Sequence, residues 1–321
     1  MKIDSVCVLG GTGFVGRALV ARLNKAGKHV RVITRRRERH RELLVLPYVE
    51  VVEGDIHDPA TLERYFADRD AVVNLVGILN EKGHRGEGFR HMHVELAKKV
   101  LDACKKKGVR RLLHMSALGA DQSTGPSHYL RSKGEAENHL HTFAAPEVAV
   151  TSFRPSVIFG PGDGLFNLFA RLLGLTPAFP IVCPRARFAP VYVGDVADRM
   201  AASLEDRSTF GQRHNLCGPE VWTMAEVVRY TAALKGYRRL LLPLPDWVAR
   251  MQANVLEFAP GKPFSRDNYA SLQLDSVCPE GGTCPTAVEA VVPHYLGDEN
   301  RQHRYQELRR EARRDGPPSA Y

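Results

Sequence analysis

The residues best suited to chemistry begin with Gly10-Gly11-Thr12-Gly13-Phe14-Val15-Gly16. Gly10 permits a tight turn, Gly13 lets backbone approach a pyrophosphate, and Gly16 lets the next helix pack closely on the preceding strand. Phosphates would then lie at a helix N-terminus, where free N–H groups and the dipole favour anions. A second group, Tyr129-Leu-Arg-Ser-Lys133, places a phenol and an ammonium on one helical face. The ammonium is expected to lower the phenol's pKa, making it a proton donor or acceptor nearer neutrality. Lys133 could also bond a ribose.

About twenty residues past the glycines lies the position that reads the ribose beside adenine. Here stands Thr34-Arg35-Arg36-Arg37, without an acid. A guanidinium at Arg35 suits a 2′-phosphate held bidentately, which favours NADP(H), with NAD(H) the alternative. The competing reading makes Arg36 to Arg41 a solvated charge run with only Arg35 near a ligand. Gly54-Asp55-Ile56 could bring Asp55 to the adenine amino group, or Asp55 could simply cap its loop.

These residues need a scaffold, and the chain supplies an alternating one. Ser5–Leu9 reads as a buried parallel strand, followed by a helix with Val15, Leu19 and Leu23 on one face, ending near Gly27. Further strands are expected at 30–34, 49–53, 71–76, 111–116 and 151–153. Asp58-Pro59 starts a helix. Val94, Ala97, Leu101 and Cys104 line another that Gly108 ends, and a third surrounds Tyr129–His141. Such alternation predicts an α/β, doubly wound parallel sheet with helices on both faces, a Rossmann arrangement, carrying a smaller C-terminal α/β lobe. The expected division is 1–155 for the dinucleotide domain and 156–321 for the lobe, with 190–217 crossing back to the sheet. Leu165–Pro180 is either lobe core or a lid or contact surface, core being the better reading.

The composition is that of an ordinary globular chain of 321 residues with formal net charge +9. The excess favours anionic partners: a dinucleotide, an anionic surface, or a membrane-associated complex. Arginines cluster at 35–41 and 301–314 without interleaved aromatics, which disfavours nucleic acid. Gln302–Arg314 reads as a basic helix-like tail. No CxxC pair occurs among the six cysteines, so no metal site is expected. Cys278 and Cys284 could meet across a turn, but free thiols in a reducing cytosol are the preferred reading. No signal peptide is expected, because Met1–Asp4 reads straight into a strand. A cytoplasmic location is expected, with peripheral attachment to the inner membrane as its variant.

The glycine loop, Asn74-Leu-Val-Gly77, Met115-Ser116, Tyr129/Lys133, Arg154-Pro155-Ser156 and Pro190-Val-Tyr-Val-Gly-Asp195 together resemble an extended-type short-chain dehydrogenase/reductase. The match runs in family order over about two thirds of the chain. Ser265-Arg266-Asp267-Asn268 and Pro285-Thr286-Ala287 narrow it to the atypical subgroup. That subgroup includes the dinucleotide-binding accessory subunit of respiratory complex I and its bacterial relatives. The resemblance implies that Thr12, Gly13, Phe14 and Val15 wrap the pyrophosphate and that Val76 and Gly77 pass beside the adenosine. It further implies that Tyr129 and Lys133 face the nicotinamide and that Pro155 and Ser156 border its carboxamide.

One position departs from the family. Where a Ser or Thr usually orients the substrate carbonyl, this chain has Ala117, leaving Ser116 or Ser123 to polarise it. Losing such a donor commonly costs about 10²–10³ in rate. Turnover is therefore left open. The expected activity is hydride transfer at a carbonyl or alcohol carbon of an unidentified small molecule. The rivals are a non-catalytic dinucleotide-holding module of a respiratory or membrane-associated complex, and a sugar-nucleotide epimerase or dehydratase.

Overall fold

Period-two burial divides each early strand between two cores. Val6 and Val8 of β1 (Ser5–Leu9) face one helix layer, while Cys7 and Leu9 face the other. The computed structural model describes residues 1–258 and 264–297. Its main sheet adds β2 (His29–Thr34), β3 (Val49–Glu53), β4 (Ala71–Asn74), β5 (Arg111–Met115), β6 (Ala149–Pro155) and β7 (Arg213–Leu216). All are parallel, in the order β7-β6-β5-β4-β1-β2-β3. The order reverses between β1 and β4, so a crevice opens at their C-terminal ends.

Helix α1 (Phe14–Lys25) packs Leu19, Val20 and Leu23 against one face. The opposite face is covered by α2 (Pro59–Phe66), α3 (Leu96–Lys107) and α4 (His128–Phe143). Asp58 accepts from the Ala60 and Thr61 N–H groups to start α2, with Pro59 at its first position. Gly108, at φ 69°, ends α3 in the left-handed region. Ser127 caps α4 by accepting from Leu130 N–H.

Past β6 the chain builds the smaller lobe, beginning with α5 (Phe166–Leu175). Phe166, Ala170 and Leu173 are buried in lobe cores, so this part of 165–180 is packing rather than a free lid, although Leu175 is exposed. The chain then returns to the sheet: α6 (Val193–Ser203) sends Val196, Ala197 and Met200 into the core beneath α1, and β7 pairs with β6. It leaves again through α7 (Met224–Leu234), α8 (Asp246–Leu256), α9 (Arg266–Ser271) and α10 (Val288–Leu296). Strand Leu240–Pro243 pairs with Ala178–Ile181.

The cysteine expectation is corrected. Cys278 is disulfide-bonded to Cys217 across 61 positions, and Cys284 remains a buried thiol. The return of β7 carries Cys217 beside a segment that local spacing could not connect to it. Among the described residues no helix is long and apolar enough to cross a membrane, and no His/Cys/Asp/Glu group could hold a metal. The basic tail at 302–314 lies outside the described residues.

Candidate functional site

Backbone constraint makes the glycine loop. Gly10 has φ +78°, and its carbonyl accepts from Gly13 N–H at 3.0 Å. A Cβ on Gly16 would lie 2.2 Å from the Gly10 oxygen, so helix and loop approach as closely as the sequence predicts. Gly13 is the N-cap of α1 and supplies no side-chain cap, and the first turn holds no acid. The leading N–H groups of α1, at Phe14 and Val15, are thus left for an anion. Thr12 sits at the loop tip, its carbonyl held by Arg17 Nη1 at 3.1 Å. The cradle fits a pyrophosphate because no side chain fills it.

At the end of β2, Arg35 is exposed, as are Arg36 and Arg37. The structure also brings an acid that the linear count missed. Thr34 pairs in register with Glu53 of β3, and a Glu53 carboxylate oxygen accepts from Arg37 N–H at 2.7 Å. The expectation of an acid-free strand end therefore holds for β2 alone. Asp55 accepts from His57 N–H at 2.9 Å, the Asx turn of a loop cap, while Ile56 and Val76 are half-buried against the core. Asn74 fixes the next loop by accepting from Val76 N–H at 3.1 Å.

On α4, Lys133 is buried and its ammonium donates to Met115 O at 2.9 Å. A Cβ on the exposed Gly77 would come 3.1 Å from that ammonium, so Lys133 lies directly beneath the Gly77 backbone. Burial pulls its pKa down to about 8, against the opposing pull of Glu137 one turn onward. Tyr129 is half-buried, its ring meeting those of His93 and Phe89 at 5.6 and 6.0 Å. Its phenol is pushed up to about 12, first by burial and then by the nearby Asp267 carboxylate. This reverses the expected lowering by Lys133. Helical spacing aligns the two side chains, but the ammonium is committed to a β5 carbonyl and desolvation dominates.

Several residues escaped sequence reasoning. His93 lies on a π-helical turn, Arg90–Glu95, and its buried ring accepts from Ile78 N–H at Nε2 (3.1 Å). Its Nδ1 donates to Ser132 Oγ (2.8 Å), which in turn donates to Tyr129 O (2.8 Å). Burial and then the Lys133 charge hold this imidazole neutral, down to about 2. Asp267 arrives from the lobe and accepts from the His128 and Tyr129 N–H groups at 2.6 and 3.2 Å, closing the start of α4. Glu137 is buried, and although burial alone would raise its carboxyl, Arg154, Ser116 and His114 hold it low. Arg154 contacts it at 2.6 Å. Its place four residues after Lys133 was a signal that could have found it. Asp267 stood in the Ser265–Asn268 motif but with no role attached to it, and His93 left no signal.

Ser116 is buried, with its hydroxyl against Glu137 but in no well-formed hydrogen bond. Ala117 packs with Tyr129 instead, and Ser123 stands in an exposed turn capped by Asp121 at 2.8 Å. Ser156 is committed within the protein, its Oγ donating to Ser276 O at 2.6 Å, and the Pro155 carbonyl takes Leu118 N–H at 2.9 Å. A 270 Å³ cavity opens beside the start of α4. Its lining includes Phe89, His128, Arg131, Glu257, Arg266 and Asp267. Phe89 thus joins this chamber to the Tyr129 ring.

Comparison with known proteins agrees with this geometry. A family model described as NAD dependent epimerase/dehydratase matches residues 6–217. The chain is 33% identical over 282 residues to the mitochondrial NADH dehydrogenase (ubiquinone) 1 alpha subcomplex subunit 9 of Arabidopsis thaliana, covering 84% of this chain and 68% of that one. It is 31% identical over 248 residues to the ceramide reductase of Caulobacter vibrioides, covering 75% and 74%. The solved UDP-glucose 4-epimerase of Thermus thermophilus, in complex with NAD, superposes with a TM-score of 0.64 at 21% identity, over 84% of this chain and 99% of that one. With a sheet, a glycine cradle and a family match over most of its length, the chain is a member of the NAD dependent epimerase/dehydratase family, of the atypical short-chain dehydrogenase/reductase kind.

Proposed function

We propose that the chain is an NADP(H)-preferring reductase acting on a carbonyl carbon. The observation that carries this is Lys133 buried beneath Gly77, with Tyr129 one turn before it and its ring 6.0 Å from Phe89, which lines the chamber. Gly10 to Gly16 hold the pyrophosphate, and Arg35 meets the 2′-phosphate. When bound, the nicotinamide supplies the hydride. A phenol near 12 is fully protonated at neutral pH, which suits Tyr129 to donate its proton to the substrate oxygen rather than to take one. Lys133, charged below about 8, positions the ribose.

The test is to identify nucleotide released from denatured protein by mass spectrometry and to titrate stripped protein with NADPH and NADH. NADPH binds more tightly, Arg35→Glu removes the preference, and Tyr129→Phe keeps it. Tightly held NAD without preference overturns the Arg35 assignment, and Glu53, at the end of the neighbouring β3, is then the residue to examine.

A second reading has its own observation. Ala117, not a hydroxyl, packs against Tyr129, and relatives include subunits of NADH dehydrogenase. The chain then holds the dinucleotide as an accessory module of a membrane-associated complex. Ala117→Ser separates the two: restoring the donor raises carbonyl reduction by about 10²-fold in an enzyme, and changes nothing in a module that has no turnover.

A further inference from the structure

Helix α8 is amphipathic in an unusual direction. Ala249 and Ala253 face inward, while Trp247, Met251, Val255 and the following Phe258 recur every three or four residues on the outer face. Those four are 69, 54, 66 and 73% exposed. The strand leading into the helix turns Leu240 and Leu242 outward, and Leu240 N–H bonds Pro177 O just past the exposed Leu175. Scattered surface leucines need no explanation, but a helix stripe of Trp, Met, Val and Phe continued by neighbouring leucines does.

The charges around this face are mainly guanidinium. Arg238 and Arg250 are exposed beside it, and Arg171 is exposed one turn before Leu175. Both carboxylates in the same stretch are hydrogen-bonded within the protein, Asp246 at the exposed start of α8 and Glu257 in a buried position. Asp246 accepts from Tyr269 OH at 2.7 Å, and Glu257 is buried against His84 and Arg266. A two-fold contact with a second copy would bring Arg250, near the middle of α8, toward its own equivalent, so like charges disfavour it. An aromatic and aliphatic stripe flanked by guanidiniums is complementary to a surface with anionic headgroups above hydrocarbon.

We propose that the outer face of α8, with Leu175, Leu240 and Leu242, docks the protein on the surface of an anionic phospholipid bilayer. The helix lies in the plane of the interface with Trp247 and Phe258 at headgroup depth. Glu257, just past the helix, turns the other way into the 270 Å³ chamber, so docking sets that chamber close to the lipid surface. The proposal does not depend on turnover.

The chain has two tryptophans, and Trp222→Phe leaves Trp247 as the sole reporter. This protein is mixed with vesicles of phosphatidylcholine alone or with added phosphatidylglycerol, and followed by emission and flotation. The expected result is a blue shift and co-flotation with the anionic vesicles, weakened by salt. Arg250→Glu reduces partitioning about tenfold, and Met251→Glu abolishes it. Circular dichroism and nucleotide binding stay unchanged in both variants, which separates lost docking from lost folding. Emission unchanged by either vesicle overturns the proposal. So does a dimer in sedimentation equilibrium that Met251→Glu dissociates, because the face is then an interface between copies.

Discussion

The two ends of the crevice are built differently. At the pyrophosphate end the features are backbone features within one short segment: Gly10 at positive φ, Gly13 as an uncapped N-cap, and no room for a Cβ at Gly16. At the end beside α4, side chains and backbone groups converge from distant segments. Gly77, His93, Met115, Tyr129, Lys133 and Asp267 all bear on a few ångströms around α4. A backbone cradle tolerates no added atom but has little to titrate. A chamber assembled from side chains tolerates substitution but responds to pH, because desolvation moves each group it buries.

The largest expected effect breaks the cradle. Gly16→Val drives its side chain into Gly10 O and the Gly11 backbone, costing several kcal/mol and eliminating nucleotide binding. Thermal unfolding and a fluorescence titration with NADPH check it, and near-normal affinity would show that the close approach is not needed. Tyr129→Phe should leave that titration intact while lowering any carbonyl reduction by about 10²–10⁴. Loss of binding along with turnover would erase the proposed division between the two ends.

Acid sensitivity sharpens the contrast. His93 and His114 are both lowered, to about 2 and 3, chiefly by burial. The unfolded chain therefore binds protons first as pH falls below the ordinary histidine value. Stability present above about 6.5 declines below it, by up to about 1.4 kcal/mol per pH unit for each histidine. Urea unfolding between pH 7 and 5 should show a steeper slope in the native protein than in His93→Gln. Equal slopes would mean that His93 is not held neutral by the fold.

Lys133 is charged below about 8 and loses its proton as pH rises through that value. Nucleotide affinity should fall severalfold from pH 7 to 9, and Lys133→Met should flatten the profile. The smallest effect is local. Asp267→Asn weakens the cap on α4, costing about 1 kcal/mol in thermal stability. It also lowers the phenol's titration midpoint, read as phenolate absorbance, because one negative neighbour is gone. An unmoved midpoint would leave burial as the sole cause.

Much of this was legible in the order of residues. The cradle, the strand and helix alternation, the Asp58 and Gly108 helix signals and the Tyr129/Lys133 pair are all short-range, set by φ/ψ preference, hydrophobic period or helical spacing. What failed were the inferences about which particular side chains meet across the fold. The expected lowering of the Tyr129 phenol assumed an ammonium free to face it, and β5 had already claimed that ammonium. The expectation of an acid-free strand end holds for β2 but left out Glu53 of β3, which is 19 positions from Thr34 but beside it in register. Free cysteines were expected where a strand returning to the sheet brings Cys217 to Cys278.

By itself, then, the sequence determined a doubly wound sheet, a phosphate cradle and the identities of the phenol and the ammonium, because those depend on neighbours along the chain. Only the tertiary structure decided how the phenol titrates, which residues close the chamber, and that α8 turns its apolar stripe outward. Burial and charge proximity depend on neighbours in space, and those are fixed only when the lobe folds back over the sheet.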